Sequence, residues 1–359
     1  MNYATGFTIG EREISCETPT YFIADIAANH DGDLERARDL IWQASEAGAD
    51  AAKFQHFTAS QIVSDVGFAD DGVGKVSHQA GWNKSVVEIY DQYHTRREWT
   101  DVLLETCEQA GIEFMTTPYD VDAVRMFADT IRAYKVGSGD ITFFGLLREI
   151  AGQGKPVFLA SGAAAMADVE AAAALCLSIN PHLCLMQCNT NYTGDAENFR
   201  FVNLRVLQGF ARRWPGLPLG FSDHTPGHSA VLGAVALGAT VVEKHFTDDN
   251  GREGPDHGFA LNPVTWRAMV DAVRELEAAM GDGTKRIEPN EQETVVIQRR
   301  ALRAKAALPA GTAIAEDDLV ALRPCPPDAV PPSSMDQVIG RKLTSALPRG
   351  KELTWSIID

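Results

Sequence analysis

Two histidines follow short apolar runs in the second half of the chain. His224 lies in residues 220–225 (GFSDHT) and His245 in residues 242–247 (VEKHFT), with a small-residue segment between them that predicts a helix. Strand, helix and strand in this order bring both strand ends to the same end of a parallel barrel. Two imidazoles there could hold one divalent metal and leave coordination positions open for substrate or water. The alternative is that each histidine only hydrogen-bonds at its strand end.

Two lysines lie in other apolar runs, Lys53 in residues 51–55 and Lys135 in residues 134–137. Lysines that point into the top of a barrel meet the substrate, and two from separate strands could bind a phosphate or a carboxylate. Either lysine could instead extend outward between helices. Hydroxyl groups that could add hydrogen-bond donors to the same anion belong to Thr117, Ser138 and Ser222.

Two aspartates have a similar setting. Asp25 lies inside an apolar strand, where an unpaired charge would be costly, and Lys53 on the next strand is its expected partner. Asp140 follows the strand that carries Lys135. Each aspartate therefore has either a catalytic role or a structural ion pair.

Apolar runs alternate with helical patterns almost to residue 280, which predicts a TIM (β/α)8 barrel. A doubly wound open sheet is the alternative, but it gives no reason for polar residues after nearly every strand. The expected strands are 21–27, 51–56, 112–117, 133–137, 156–160, 183–188, 218–222 and 240–244. The expected helices are 34–47, 100–110, 122–128, 144–151, 168–178, 203–213, 229–238 and 264–279.

The pattern changes outside the regular barrel units. Residues 57–98 are too many for an ordinary connection, so we expect a loop over the pocket mouth. We expect the barrel domain over residues 1–283 and a polar linker over 284–298. Residues 299–359 contain two matching turns, LPAG (308–311) and LPRG (347–350), which predict a small pseudo-symmetric β module.

Composition narrows the function classes. The chain has 359 residues and a net charge of −17, which disfavours nucleic acid and anionic membranes as partners. The six cysteines form no CxxC pair, so we expect reduced thiols and a cytoplasmic location. The N-terminus has no signal-peptide pattern, and no apolar run approaches the ~20 residues of a membrane span.

The motifs together resemble the sialic acid synthases. The similar segments, in order, are IADIAANH (23–30), AKFQ (52–55), TTPYD (116–120), KVGSGD (135–140), KPV (155–157), NY (191–192), FSDHT (221–225), EKHFT (243–247) and GPDH (254–257). Residues 299–359 resemble the antifreeze-like (SAF) domain of those enzymes through RR (299–300), the two turns above, LRP (322–324) and VIGRK (338–342). The resemblance covers essentially the whole chain.

This resemblance implies condensation of phosphoenolpyruvate with an N-acetylated aminosugar, giving a 2-keto-3-deoxy nonulosonic acid and phosphate. It implies a divalent metal held by His224 and His245, with Mn²⁺ expected and Mg²⁺ or Co²⁺ as alternatives. Catalytic residues would be Asp25, Lys53, Lys135 and Asp140. Substrate-binding residues would be Gln55, Thr117, Ser138, Asn191, Tyr192, Ser222, Asp256 and Arg323. The last of these would act in the partner's site of a domain-swapped homodimer.

The chain departs from the family pattern where the sugar or its activated water would lie. Asp25 and Asp140 replace glutamates, and Ala27, Ala260 and Cys325 also differ. We therefore expect retained chemistry, with N-acetylmannosamine or a related acetamido or diacetamido hexose as the acceptor. Two other functions remain open: a Schiff-base aldolase or other enolate enzyme on the same barrel, and a non-catalytic protein that binds sugar or ice.

Overall fold

A computed structural model describes residues 2–70 and 84–359. It divides into two compact units, Met1–Gly281 and Asp282–Asp359. Residues 71–83, within the segment expected to cover the pocket mouth, lie outside the described residues.

The first unit is built around a closed barrel of eight parallel strands. Each strand pairs with the next, and the last pairs with the first through Val241 and Tyr21, which excludes an open sheet. The TIM-barrel prediction is therefore confirmed. The strands are β3 (Tyr21–Asp25), β4 (Ala51–His56), β5 (Glu113–Pro118), β6 (Tyr134–Val136), β7 (Val157–Ala160), β8 (Leu183–Cys188), β9 (Leu219–Asp223) and β10 (Ala239–His245).

Helices cover the outside of this barrel. Both faces of each strand are therefore buried, which explains why the strands are nearly continuous apolar runs. The helices between and after the strands are α1 (Leu34–Glu46), α5 (Thr100–Ala110), α6 (Val121–Met126), α7 (Phe144–Gly152), α8 (Met166–Ile179), α9 (Val206–Arg213), α10 (Ser229–Ala236) and α11 (Pro263–Met280). Among the described residues, none of the helices is both long and apolar enough to span a membrane.

An N-terminal hairpin, β1 (Gly6–Ile9) with β2 (Arg12–Ser15), was not predicted. Its apolar side chains are buried with residues of the barrel interior, and Phe7 meets Phe158 edge to face at 5.8 Å. The hairpin thus closes the amino end of the barrel. Its four-residue strands are too short to give a clear alternating pattern.

The long connection between β4 and α5 contains helices rather than one open loop. They are α2 (Ala59–Ile62), α3 (Asp65–Asp70) and α4 (Val86–Tyr93). Helix α4 begins with a capping box, in which Ser85 and Glu88 satisfy each other's backbone N–H groups. This explains why its start is well defined in a polar stretch.

The second unit holds the predicted pseudo-symmetric module. Leu308 and Leu347, the first residues of the two matching turns, exchange backbone hydrogen bonds of 2.9 and 2.8 Å. Gly311 and Gly350 both adopt positive φ, at 81° and 74°, which favours glycine at the end of each turn. The regular elements are helix α12 (Gln292–Gln298), strand β11 (Ala301–Ala304), strand β12 (Leu319–Leu322) and helix α13 (Met335–Val338). Helix α12 lies within the segment that we expected to be a linker.

Candidate active site

Most of the predicted site residues of the first unit lie at the carboxyl ends of barrel strands. In a parallel barrel, these ends share one face, so residues distant in sequence come together. Their positions along the strands are Asp25 (β3), Lys53 and Gln55 (β4), Thr117 (β5), Lys135 (β6), Ser222 (β9) and His245 (β10). Those that follow a strand are Ser138 and Asp140 after β6, Asn191 and Tyr192 after β8, His224 after β9 and Asp256 after β10.

Lys53 is the centre of a buried polar cluster. Its Nζ donates hydrogen bonds to Asp25 Oδ2 at 2.6 Å and to Thr117 Oγ1 at 3.2 Å. Lys53 and Asp25 are 2 % and 3 % exposed, so the lysine does not extend outward to solvent. The expected ion pair is present, and it joins two adjacent strands.

Glu243 is a buried carboxylate to which sequence analysis assigned no role. Its Oε1 lies 3.1 Å from Lys135 Nζ and accepts a 3.0 Å hydrogen bond from Ser222. Its Oε2 is 3.8 Å from Lys53 Nζ and has no hydrogen-bond partner among the described residues. Glu243 therefore links the two predicted anion-binding lysines.

The charges of this cluster balance within the barrel. Burial lowers the pKa of Lys53, but Asp25 and Glu243 outweigh burial and raise it above its usual value. Burial raises the pKa of Glu243, but Lys135 and Lys53 outweigh it and lower the pKa to about 2. For Asp25, burial dominates and raises the pKa despite Lys53. Lys53 thus stays protonated, which suits it to binding an anion and disfavours it as a Schiff-base nucleophile.

The two predicted metal ligands meet at the same end of the barrel. The ring centroids of His224 and His245 are 5.4 Å apart. Nδ1 of His224 lies 3.1 Å from the Asn189 carbonyl oxygen, to which it can donate, so Nε2 remains for a metal. Burial lowers the pKa of His245 to about 3 against the effect of Asp256, so this imidazole is neutral.

These residues fit a divalent ion with two protein ligands. Nδ1 of His245 is buried and has no hydrogen bond within residues 2–70 and 84–359, and Asp25 Oδ2 lies 3.6 Å from Nε2 of the same ring. Among the described residues, no group of three or more His, Cys, Asp or Glu side chains is arranged to hold a metal ion. An ion held by these two imidazoles would have its other coordination positions open for substrate or water.

Aromatic rings enclose the histidine pair. The Tyr192 ring lies 4.6 Å from the ring of His224, and the Phe259 ring lies 4.9 Å from that of His245. Cys188 Sγ is 3.9 Å from Nδ1 of His224. Burial would raise the pKa of the Cys188 thiol, but the contact with His224 outweighs it and lowers the pKa to about 7.

Asp256 lies beside the histidines on the loop after β10. Its Oδ2 is 3.5 Å from Nδ1 of His245 and accepts a 3.4 Å hydrogen bond from the Ala28 backbone. The neighbouring His257 is fully buried and contacts Asp31 Oδ1 at 2.9 Å, which ties this loop to the turn after β3. The loop therefore holds a carboxylate at the edge of the cluster.

A cavity opens above the cluster. Its lining includes the polar side chains of Gln55, His245 and Asp256, together with Tyr192. The lining also includes the apolar and aromatic side chains of Phe57, Ile62, Ile89, Tyr90 and Tyr93. We call these five side chains the mouth wall. Phe57 directly follows β4, Ile62 belongs to α2, and the other three belong to α4.

Three predicted residues have surroundings that differ from the cluster. Asn191 is exposed, and its Oδ1 accepts hydrogen bonds from its own loop, at Thr193 and Asn198. Arg323 is exposed in the second unit, where its Nε donates to the Gln298 carbonyl at 2.6 Å. Asp140 has no ion pair among the described residues. Their functional roles remain predictions.

Ser138 is held in place by a close backbone approach. Its Oγ accepts a 3.0 Å hydrogen bond from the backbone N–H of Gly162, two residues after β7. A Cβ at Gly162 would overlap the Thr190 side chain, so only glycine allows this approach. The Ser138 side chain also hydrogen-bonds the thiol of Cys188.

Asp140 should make stability depend on pH. Burial raises its pKa from 3.8 to about 6, and Oδ2 is buried without a hydrogen bond among the described residues. Because the folded state holds this proton longer than the unfolded state, the wild type loses stability as the pH rises from about 4 to about 6. We expect Asp140→Asn to raise the melting temperature above pH 6 and to leave it unchanged below pH 4. The exposed Asp129→Asn should show no such difference, and a pH-independent effect of Asp140→Asn would contradict this prediction.

Sequence analysis missed two features of the site, Glu243 and the mouth wall. Only Glu243 could have been predicted from the sequence. Side chains alternate inward and outward along a strand, so an inward His245 implies an inward Glu243. Lys244, between them, lies in a separate buried pair with Asp223 at 2.6 Å. The mouth wall had no such signal, because its members belong to the long connection after β4.

Comparisons with known proteins agree with this geometry. Residues 40–285 match the NeuB family, and residues 299–358 match the SAF domain. The chain is 31 % identical to an N,N'-diacetyllegionaminic acid synthase from Legionella pneumophila, over 94 % of each chain. It is 30 % identical to the N-acetylneuraminate-9-phosphate synthase of Homo sapiens, over 97 % of this chain and 95 % of that one.

A solved structure shows the same fold. The N-acetylneuraminic acid synthetase from Leptospira borgpetersenii, in complex with citrate, superposes with a TM-score of 0.70 at 27 % identity, over 82 % of this chain and 96 % of that one. The family match covers more than half of the chain and includes the strands that carry the lysine and histidine clusters. The chain therefore belongs to the NeuB family of sialic acid synthases.

Proposed function

We propose that this protein condenses phosphoenolpyruvate with an N-acetylated aminosugar to give a 2-keto-3-deoxy nonulosonic acid and inorganic phosphate. The observation that carries the proposal is the joint placement of two clusters at one end of the barrel. One consists of Lys53 and Lys135 with their carboxylates, and the other is the His224–His245 pair. The first suits an acidic substrate, and the second suits a metal that activates a carbonyl group.

Phosphoenolpyruvate would bind at the lysine cluster. Its phosphate and carboxylate need several cationic or hydroxyl donors, which Lys53, Thr117 and Lys135 supply from three neighbouring strands. Ser138 and Ser222 add hydroxyl groups, and we assign Asn191 to the same anion. Because Glu243 already contacts both lysines, we infer that it holds them in position until the substrate arrives.

The acceptor aldehyde would lie between this anion and the histidines. His224 and His245 would hold a divalent ion, with Mn²⁺ expected and Mg²⁺ or Co²⁺ as alternatives. A bound ion supplies Lewis-acid polarisation of the aldehyde oxygen. Asp256 would accept hydrogen bonds from sugar hydroxyls, and Gln55 and Tyr192 would contact the sugar.

The reaction then needs one new carbon–carbon bond and the loss of phosphate. C3 of phosphoenolpyruvate attacks the aldehyde carbon, whose oxygen takes up a proton and becomes a hydroxyl group. In the overall balance, the two protons of the added water end on this hydroxyl group and on the released phosphate. Water adds to C2, and cleavage of the C2–O bond releases phosphate and leaves the 2-keto group. Asp25 would take the proton of this water, because it lies next to both the histidine pair and Lys53. Asp140, in the segment that follows β6, would serve as a second acid–base group.

The proposal extends to the organisation of the chain. We assign a catalytic domain to residues 1–283, a linker to 284–298 and an SAF domain to 299–359. The protein would act as a domain-swapped homodimer in which Arg323 reaches the partner's site. It would reside in the cytoplasm, which is consistent with the six free cysteines, four of them buried.

The test is to incubate the protein with phosphoenolpyruvate, Mn²⁺ and acetamido hexoses, and to follow phosphate release and product mass. We expect turnover that a chelator abolishes and added Mn²⁺ restores. A Schiff-base aldolase would resist the chelator and be trapped by borohydride. Absence of phosphate release with every acceptor would contradict the proposal.

A further inference from the structure

A buried ion pair joins two neighbouring barrel strands directly before the histidine pair. Asp223 is the last residue of β9 and precedes His224. Lys244 lies in β10 and precedes His245. The two strands pair with Lys244 opposite Asp223, and Lys244 Nζ lies 2.6 Å from Asp223 Oδ2. Each member of the ion pair is therefore the chain neighbour of one histidine.

The ion pair lies on the outer side of the barrel wall. Glu243 and His245 point into the barrel, and side chains alternate along a strand, so Lys244 between them points outward. Val242 and Phe246, which point the same way as Lys244, belong to the apolar core that strands and helices share. The ion pair is therefore out of reach of a substrate inside the barrel, and a role in the reaction would have to act through other residues.

Stability alone is a weak reason for two charges in this apolar layer. Both side chains are 1 % exposed, and taking two charges out of water is costly. A well-packed apolar pair of similar volume is often as stabilising as a buried ion pair, or more so. The hydrogen bonds that the two charged groups make with the next loop are therefore informative.

These hydrogen bonds go to Thr225, the residue that follows His224. Lys244 Nζ donates to the backbone carbonyl of Thr225 at 2.6 Å. Oδ1 of Asp223 accepts hydrogen bonds from the backbone N–H and the hydroxyl group of Thr225, at 2.9 and 2.8 Å. The ammonium group of Lys244 thus binds the residue before His224 and the residue after it.

Strand pairing holds the two histidines to different degrees. His245 is still paired with Asp25 of β3. The pairing of β9 with each of its neighbouring strands ends before His224. The bond from Nδ1 of His224 to the Asn189 carbonyl orients the ring but does not fix the backbone. The contacts of Lys244 therefore hold the backbone at the histidine that lies beyond the paired part of its strand.

We propose that Lys244 is a positioning residue that keeps His224 at the distance from His245 that one divalent ion requires. The inference rests on the proposed function, because it takes these two imidazoles as the ligands of the ion. Ligands must be held within about 0.5 Å of a productive geometry, and the contacts that support them affect metal affinity. Lys244 is one residue from the first ligand and binds both chain neighbours of the second, so it links the two positions directly.

The test is the affinity of the full-length protein for Mn²⁺, measured by calorimetry with phosphoenolpyruvate present. Lys244→Met is the direct variant, but it leaves Asp223 buried without its partner, which is strongly destabilising. Asp223→Asn/Lys244→Met removes both charges together with the bond to the Thr225 carbonyl. We expect the Kd for Mn²⁺ to rise by about 10–100-fold in the double variant, the range for residues that support metal ligands. Phosphate release should fall at low Mn²⁺ concentration and recover as Mn²⁺ is added.

Tyr134→Phe is the matched control. Tyr134 is also a buried residue that precedes a site residue, Lys135, but its hydroxyl group donates to the Val124 carbonyl in α6, at 2.8 Å. Its loss should lower the melting temperature and leave the Kd for Mn²⁺ unchanged. A folded double variant with a lower melting temperature but wild-type affinity for Mn²⁺ would overturn the inference and leave the proposed function intact. A wild type that binds no Mn²⁺ would contradict the proposed metal chemistry as well.

Discussion

His245→Ala is expected to abolish metal-dependent phosphate release. The loss of Lewis-acid stabilisation worth several kcal/mol corresponds to about a 10³-fold decrease in turnover or more. The same variant should also weaken Mn²⁺ binding. Substitutions of residues that only support the metal ligands typically weaken metal binding by about 10–100-fold, and we expect a larger effect from the loss of a ligand itself. Binding of Mn²⁺, measured by calorimetry in the presence of phosphoenolpyruvate, separates this effect from a defect in chemistry.

The expected effect is local because of how His245 is held. Its Nδ1 makes no hydrogen bond with the part of the chain that the structure describes, so alanine leaves no buried partner of that atom unsatisfied there. His224→Ala should lose Mn²⁺ in the same way, although it also removes the contact with Asn189. His182→Ala is the matched control, because this histidine precedes β8 at the other end of the barrel, near Phe7. Wild-type affinity for Mn²⁺ in folded His245→Ala would contradict the assignment.

The barrel was predictable because its parallel strands are buried on both faces. Runs such as 51–56 and 183–188 are apolar for that reason, and the structure has strands with those same bounds. The polar residues after each run then predicted which end of the barrel carries the site. The N-terminal hairpin was not predictable in this way, because Phe7, Ile9 and Ile14 are three isolated apolar residues whose burial depends on the closed barrel.

Site geometry was predictable only where strand order determines it. Asp25 and Lys53 lie on strands adjacent in sequence, so their contact followed from neighbouring positions in a parallel sheet. Glu243 meets Lys135 across the interior of the barrel, from a strand that is four places away in either direction around the closed sheet. Contacts across the interior of the barrel depend on the length and direction of the side chains. The pattern of apolar residues in the sequence does not predict either of these.

The clustering of buried charges also bears on how the site works. Two lysines and two carboxylates share one buried network, and Oδ1 of Asp25 and Oε2 of Glu243 have no hydrogen bond among the described residues. Such unsatisfied atoms are costly in a buried site unless a ligand or water completes them. We therefore regard the network as a binding site that substrate and water complete, rather than as a stabilising ion-pair cluster.

Asp25→Asn should remove turnover and spare phosphoenolpyruvate binding. Loss of a positioned general base decreases turnover by about 10²–10⁴-fold. The asparagine oxygen can still accept a hydrogen bond from Lys53, and the loss of one negative charge beside this lysine favours the substrate anion. We therefore expect an unchanged or slightly tighter Kd for phosphoenolpyruvate and a much lower kcat, measured by calorimetry and by phosphate release.

Glu243→Gln is the matched control, since it removes the same charge from the same lysine network. Its main effect should be on phosphoenolpyruvate affinity, because Glu243 contacts Lys135 at 3.1 Å, whereas Asp25 is the carboxylate 3.6 Å from His245.

Asp25→Glu keeps the base but moves it by about one methylene, a misplacement that can decrease turnover by up to about 100-fold. It should therefore be more active than Asp25→Asn. Equal kcat in wild type and Asp25→Asn would assign this carboxylate to the ion pair alone and return the role of base to another group.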